Sequence, residues 1–346
     1  RLYFVEKNTQ NFWYGSTSAI SGTLTKFQIS QTGNFGGNIV ALGHISNDGG
    51  SGPDDLFAAF LSSGDTVVYQ GNDPGDPDNW ALVGVFRIGS LVDKRAQAGI
   101  GGDLALITRD GFVPLRQVMP AARAAGVEVT ISNKIDKAAK YAAVTYSANA
   151  GWRILLYPKL GAVIFNIPVS TSIIEQYVFN VSTKAWARWT GMNARSCSLY
   201  NDDAYYGSTA GKVYKADTGT SDAGTAITCD AQTSWSDFGD PQGQKSFTAV
   251  RPIFSSILTP VFQMKIGVDF DPPAATDGVS EQQITSSSIW DTAIWNSAIW
   301  ADGLQTARSW SSVAAATGYK ASLKLRTVIS DREISWTSTN YILERA

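Results

Sequence analysis

Between residues 12 and 217 the chain repeats one pattern. A short run rich in β-branched and aromatic residues is followed by a turn of Gly, Asp, Ser or Lys and then a second such run. Side chains of this kind suit a pleated surface, so the pattern confines the chain to folds made of many short strands. Residues 56–61 and 66–69 flank Ser-Ser-Gly-Asp, and residues 103–115 turn at Asp110-Gly111. Residues 153–157 and 162–167 flank Lys159-Leu160-Gly161, and residues 176–181 and 185–189 flank Ser182-Thr183-Lys184. Each pair reads as a hairpin. Residues 12–29 read as two more strands about a polar turn. Residues 80–88 (WALVGVFRI) read as a nearly continuous buried strand after the exposed loop NDPGDPDN.

One stretch departs from this rhythm. Residues 114–144 are Ala-rich with interspersed Lys and Arg, which predicts one or two short helices. The second is expected to be capped by Ser132 or Asn133 and to end before the β-branched Val-Thr-Tyr at 144–146. The hairpins recur about every 40–50 residues, the size of one four-stranded blade. The expected fold is therefore mainly β: a β-propeller of four-stranded blades over residues 1–217, with a short helical insertion at about 114–144. A large sandwich with similar hairpins is the competing architecture. A weak internal repeat runs through the region: Trp13-Tyr14-Gly15-Ser16 matches Tyr205-Tyr206-Gly207-Ser208, with Tyr69-x-Gly71 as a degraded third copy.

After Asp217 the stretch TGTSDAGTA reads as a linker, and residues 218–346 as a β-rich C-terminal unit. Its expected strands are 247–257, 261–269, 319–330 and 332–344, the last two flanking a tight turn at Ser330-Asp331. Three Ile-Trp pairs, Ile289-Trp290, Ile294-Trp295 and Ile299-Trp300, recur at a spacing of five, which is neither the helical nor the strand period. A tryptophan buries about 150–250 Å² when it packs. Residues 289–300 therefore read as a docking segment, with Trp290, Trp295 and Trp300 as the candidate interface residues.

Composition removes several function classes. Net charge is −2 and charged residues make up 17%, with Lys and Arg scattered, so no phosphate-tracking stripe of a sequence-specific DNA reader is present. No apolar run approaches the length of a membrane span, so no membrane insertion is expected. The start, RLYFVEKN, is not a signal peptide and lacks an initiator Met, so an upstream segment is expected to be missing. Cys197 and Cys229 are expected to be reduced, since two cysteines make no disulfide framework.

The search for catalytic chemistry returns structural readings. His44 is the one histidine, and no G-x-S-x-G elbow accompanies it. One His and two distant Cys build no zinc site. Asp73, Asp76 and Asp78 lack the calcium-loop frame, and Pro74 and Pro77 stiffen their backbone. Asp54-Asp55 and Asp202-Asp203 are adjacent pairs, which on a strand point to opposite faces and cannot flank one sugar bond unless a turn intervenes; turn and strand-edge roles are expected. Gly99-x-Gly101-Gly102 lacks the dinucleotide fingerprint and precedes a strand. A lectin role for the tryptophans competes with core burial, the default for aromatics inside apolar runs. No catalytic residue, cofactor or metal is expected.

Several segments in order nevertheless resemble the β-propeller tail proteins of short-tailed bacteriophages, the group of packaged-DNA stabilisation and lower tail-tube or nozzle proteins. They are WALVGVFRIG (80–89), GGDLALITRDGFVPL (101–115), SNKIDKAAKYAA (132–143), GWRILLYP (151–158), IFNIPV (164–169), QYVFNVSTKAWARWTGM (176–192) and YYGSTAGKVYKAD (205–217). The Ile-Trp triplet and the closing TNYILERA also look like the end of such proteins. The likeness is collinear over most of the chain, and no single motif in it is diagnostic.

The resemblance implies a virion protein without enzymatic activity, made in the host cytoplasm and built into the phage tail. Copies would form a homo-oligomeric ring, six by that likeness, below the portal or adaptor proteins and beside tail spike or fibre proteins. The ring would retain packaged DNA and conduct double-stranded DNA without sequence preference. The chain is short for the longer nozzle proteins, which puts a distal receptor-contacting domain in doubt. The alternative is a propeller that binds or processes glycans.

Overall fold

The computed structural model describes residues 1–29, 36–45, 55–121, 130–256, 262–271, 305–307, 310–330 and 333–346. Strands take 53% of the described residues and helices 8%, so the protein is mainly β. It divides into two compact units, Arg1–Asp217 and Thr218–Ala346.

The first unit holds five small antiparallel sheets, each a meander of consecutive strands. The first sheet contains β1 (Tyr3–Val5), β2 (Asn11–Tyr14) and β3 (Thr25–Gln28). The second contains β4 (Ile39–Ile45), β5 (Leu56–Leu61), β6 (Asp65–Gln70) and β7 (Ala81–Arg87). The third contains β8 (Gln97–Ile100), β9 (Asp103–Thr108) and β10 (Gly111–Pro114). The fourth contains β11 (Arg153–Tyr157), β12 (Ala162–Pro168), β13 (Ile174–Asn180) and β14 (Trp186–Trp189), and the fifth β15 (Ala194–Tyr200), β16 (Asp203–Ser208) and β17 (Val213–Lys215). Among the described residues only the second and fourth sheets have the expected four strands; the other three show three.

Successive sheets stack face to face, and the alternation of side chains along the middle strands shows how. On β5, Phe57, Ala59 and Leu61 join Phe12 and Tyr14 of β2, while Ala58 and Phe60 join Leu104 and Leu106 of β9. On β9 the alternate residues Ala105 and Ile107 turn to Val163, Phe165 and Ile167 of β12. The remaining β12 residues, Ala162 and Ile164, face Cys197 and Ala204 of the fifth sheet. A strand buried on both faces needs a nearly continuous apolar run; LFAAFL supplies it, and so does AVIFNIP, broken only by Asn166. Strands at the start of successive sheets approach closely, β1 to β4, β8 to β11 and β11 to β15. No closed barrel or propeller is detected among the described residues.

Four local expectations need correction. Residues 80–88 do not form a buried strand: β7 is the outer edge of its sheet, with Leu82 and Val83 exposed. An apolar run records hydrophobicity but not which neighbour covers it. The helices are α1 (Leu115–Ala121) and α2 (Asp136–Thr145), and α2 is capped by neither Ser132 nor Asn133. Ser132 Oγ instead accepts from the backbone N–H of Phe112, and a single 3₁₀ turn (Asn133–Ile135) leads into α2. The helix continues through Val144 and Thr145, since Ala139, Ala142 and Ala143 anchor it to the core and outweigh β-branched propensity.

The fourth correction falls in the second unit, which contains β18 (Ile227–Gln232), β19 (Lys245–Ser256), β20 (Phe262–Val268), β21 (Gln305–Ala307), β22 (Ser311–Gly318), β23 (Ala321–Ile329) and β24 (Ile334–Arg345). The last two strands are not hairpin partners. β23 lies between β18 and β20, whereas β24 pairs along β19, which also binds β21 and β22. Inward residues of both sheets share one core around Phe247, Val250, Phe254, Met264, Leu323 and Leu325. Asp331 of the expected turn lies outside the described residues.

Candidate functional site

Trp290, Trp295 and Trp300 lie outside the described residues, as does Asp54. The other sequence candidates fall at separate places and serve local structure. His44, near the end of β4, has Nε2 3.7 Å from Asp55 Oδ2. Asp73 pairs with Arg1 and accepts from the Gly75 N–H, and Asp76 accepts from the Asn79 side chain at 2.6 Å and the Asp78 N–H at 3.1 Å. Those carboxylates brace their own loop. Gly101 and Gly102, with φ of 51° and 82°, make the two-residue turn between β8 and β9. Cys197 is buried, Cys229 is exposed, and both are free. Among the described residues no group of three or more His, Cys, Asp or Glu side chains could hold a metal ion. Of the eight described tryptophans, Trp80 and Trp152 are buried and Trp186, Trp189 and Trp336 pack half-buried against the cores, so core packing accounts for most of them.

The seam between the fourth and fifth sheets is built from polar groups. Arg153, Asn166 and Gln176 stand opposite one another across β11, β12 and β13. Each donates to a backbone carbonyl at the start of the fifth sheet: Arg153 to Cys197 at 2.8 Å, Asn166 to Ala194 at 3.0 Å and Gln176 to Met192 at 2.7 Å. The β-bulge between Ala194 and Ser196 falls within this stretch, and a buried carbonyl left unpaired is costly. Gln97 plays the same part between the third and second sheets, donating to the Leu42 carbonyl at 2.7 Å beside the bulge in β4.

A charged clip closes the same seam from the surface. Asp203 is bonded by Lys159 at 3.0 Å and Lys215 at 2.5 Å. The Lys215 and Lys159 ammonium groups hold its carboxyl below the usual carboxylate range. Tyr157 donates to Asp217 at 3.0 Å; burial and that carboxylate together raise its phenol.

The two ends of the stack differ from its middle. On the first sheet Phe4, Trp13 and Lys26 form a row facing away from the core, Phe4 being 47% exposed. Lys26 Nζ sits 6.0 Å from the Trp13 ring centroid and 3.8 Å from Glu6. On the fifth sheet the corresponding row is Ser198, Tyr205 and Lys215, with Asp203 on the lysine and Tyr200 68% exposed. Both faces thus carry an aromatic residue, a cross-strand lysine and a carboxylate bonded to that lysine. The internal repeat marked Trp13 and Tyr205 but carried no sign of their lysines, which lie on another strand and meet them only by register.

No protein-family model matches this chain, and no curated protein matches it. Among the described residues no helix is long and apolar enough to cross a membrane.

Proposed function

We propose that the chain is a structural, non-enzymatic component of a phage tail, of the nozzle or DNA-stabilisation type. In this reading the first unit is a β-propeller, and copies of the chain form a ring, six by resemblance, below the portal or adaptor and beside spike or fibre proteins. The ring retains packaged DNA and conducts it at ejection. The virion is its residence and the host cytoplasm its place of assembly.

The observation that carries the reading is the ordered series of resembling segments. Residues 80–89 fall on β7, 101–115 on β9 and β10, 132–143 on α2, 151–158 and 164–169 on β11 and β12, 176–192 on β13 and β14, and 205–217 on β16 and β17. The stack of consecutive meanders, with close approaches along leading strands, supports the blade architecture. The charge distribution supports a conduit. Strong phosphate binding would resist sliding, and the arginines of the leading strands are already engaged, Arg153 with the Cys197 carbonyl and Arg195 with that of Thr171.

The test is electron microscopy of the purified chain, alone and mixed with portal–adaptor complexes from the same source. Rings with a central channel, or density added beneath the portal, are expected. A monomer that leaves the portal undecorated would overturn the reading.

A further inference from the structure

We infer that one buried water is built into the seam between the fourth and fifth sheets, donating one hydrogen to Asn166 Oδ1 and the other to Gln176 Oε1. The site stands apart from the tail reading, since every group in it belongs to a single chain.

A side-chain amide has a donor end and an acceptor end, and in this seam the two ends fare differently. Asn166 is 1% exposed and Gln176 is fully buried. Their donor ends are engaged. Asn166 Nδ2 donates to the Ala194 carbonyl at 3.0 Å and, at 3.9 Å, to Cys197 Sγ, while Gln176 Nε2 donates to the Met192 carbonyl at 2.7 Å. The acceptor ends, Asn166 Oδ1 and Gln176 Oε1, are buried and receive no hydrogen bond from the protein. Turning either amide over does not help, because its oxygen would then face a backbone carbonyl, which only accepts. A buried acceptor without a donor is costly, so the seam calls for a donor that the chain does not supply.

The chemistry of the row selects water. Asn166 and Gln176 are directly opposed in the β12–β13 ladder, which sets their Cβ atoms about 4.5–5.5 Å apart. One small molecule with two donors serves both oxygens, and water has two. A metal ion does not fit. Two neutral oxygens fall well short of the about six to eight that calcium takes, and the Arg153 guanidinium in the same row repels a cation. That guanidinium suits a water instead. Arg153 gives one N–H to the Cys197 carbonyl and has others to spare, and a water that donates twice still accepts. Three hydrogen bonds are about what a buried water makes in a folded protein. Gln97, at the seam of the second and third sheets, has an orphaned oxygen too, but its ladder neighbour Leu106 brings no second acceptor. A Cβ added at Gly43 would lie 2.8 Å from that oxygen, so the Gly43 backbone already crowds it.

The experiment takes the full chain through two measurements. In a crystal structure at a resolution that shows ordered water, one peak is expected about 2.8 Å from both Asn166 Oδ1 and Gln176 Oε1. In solution, the side-chain amide protons of Asn166 and Gln176 in a deuterated sample are expected to cross-relax with water, with the sign that a long-lived bound molecule gives. Gln176→Met keeps the length of the side chain and removes its acceptor. It is expected to abolish both the peak and the Asn166–water signal, and circular dichroism checks its fold.

No peak and no cross-relaxation in the wild type would overturn the inference. So would two separate peaks, one on each oxygen, or a water that stays on Asn166 in Gln176→Met, since either means that the site is not shared. An Arg153 N–H bonded directly to Asn166 Oδ1 would supply the missing donor from the chain itself, with the same consequence. A peak with the anomalous signal of a metal ion would replace water with a cation and overturn it too. If Gln176→Met fails to fold, the wild-type density and relaxation still decide.

Discussion

Cys197 and Cys229 carry the same thiol into opposite surroundings. Cys197 faces the core between the fourth and fifth sheets, and burial pushes its thiol up, against a weaker downward pull from the Arg153 guanidinium. The Cys229 thiol is raised too, by desolvation and by Asp230, so access and not acidity separates them. At pH 8 an aromatic disulfide reagent is expected to label Cys229 and to reach Cys197 only after denaturant is added; two equally fast phases would contradict the packing. Asp203 makes a second prediction. Its folded pKa is depressed by Lys215 and Lys159, so its stabilisation is present above the unfolded carboxylate value of about 3.9 and is lost as pH falls through the folded value. Asp203→Asn is expected to lower the melting temperature at pH 7 and to flatten the melting curve's decline below about pH 4. An acid limb identical to wild type would show that the clip contributes nothing. For His44 and the loop aspartates the sequence showed only that the partners a catalytic role needs were missing nearby; the Asp55 neighbour of His44 and the loop hydrogen bonds of Asp73 and Asp76 were added by the structure. Arg153, Asn166 and Gln176 were not legible, since their carbonyl partners lie on another sheet.

At the scale of elements, turns were readable and coverage was not. A turn is decided by a few adjacent residues, so a hairpin formed at Lys159-Leu160-Gly161, with Gly161 in the left-handed conformation at φ 60°, and another about Arg109-Asp110, one residue before the expected Asp110-Gly111. The strands of WALVGVFRI and AVIFNIP look alike in sequence, yet one is an exposed edge and the other lies between two sheets. Mutation should separate them. Phe165 on β12 is fully buried and stacks on Phe112 with ring centroids 4.3 Å apart. Phe165→Ala is expected to cost about 3–5 kcal/mol in denaturant unfolding. Leu82→Ala on β7, where the side chain is exposed, is expected to stay within about 0.5 kcal/mol. Comparable losses at the two positions would mean that β7 is covered.

For the whole molecule, the two units have separate cores, one set around Phe57, Phe60 and Phe165 and the other around Phe247 and Leu323. Calorimetry is therefore expected to resolve two transitions, with Phe165→Ala lowering one and Leu323→Ala the other, because distant sites without shared partners act independently. One transition lowered equally by both substitutions would mean that the units unfold together. By itself the sequence determined that the protein is mainly β and where many of its turns fall, because turn chemistry and strand propensity act over a few neighbouring residues. Tertiary structure alone decided that β23 and β24 belong to different sheets, that β7 is an edge, and that Lys26 lies beside Trp13 as Lys215 lies beside Tyr205. Such pairings are set by the register and stacking of strands remote in sequence, and no local pattern of residues encodes them.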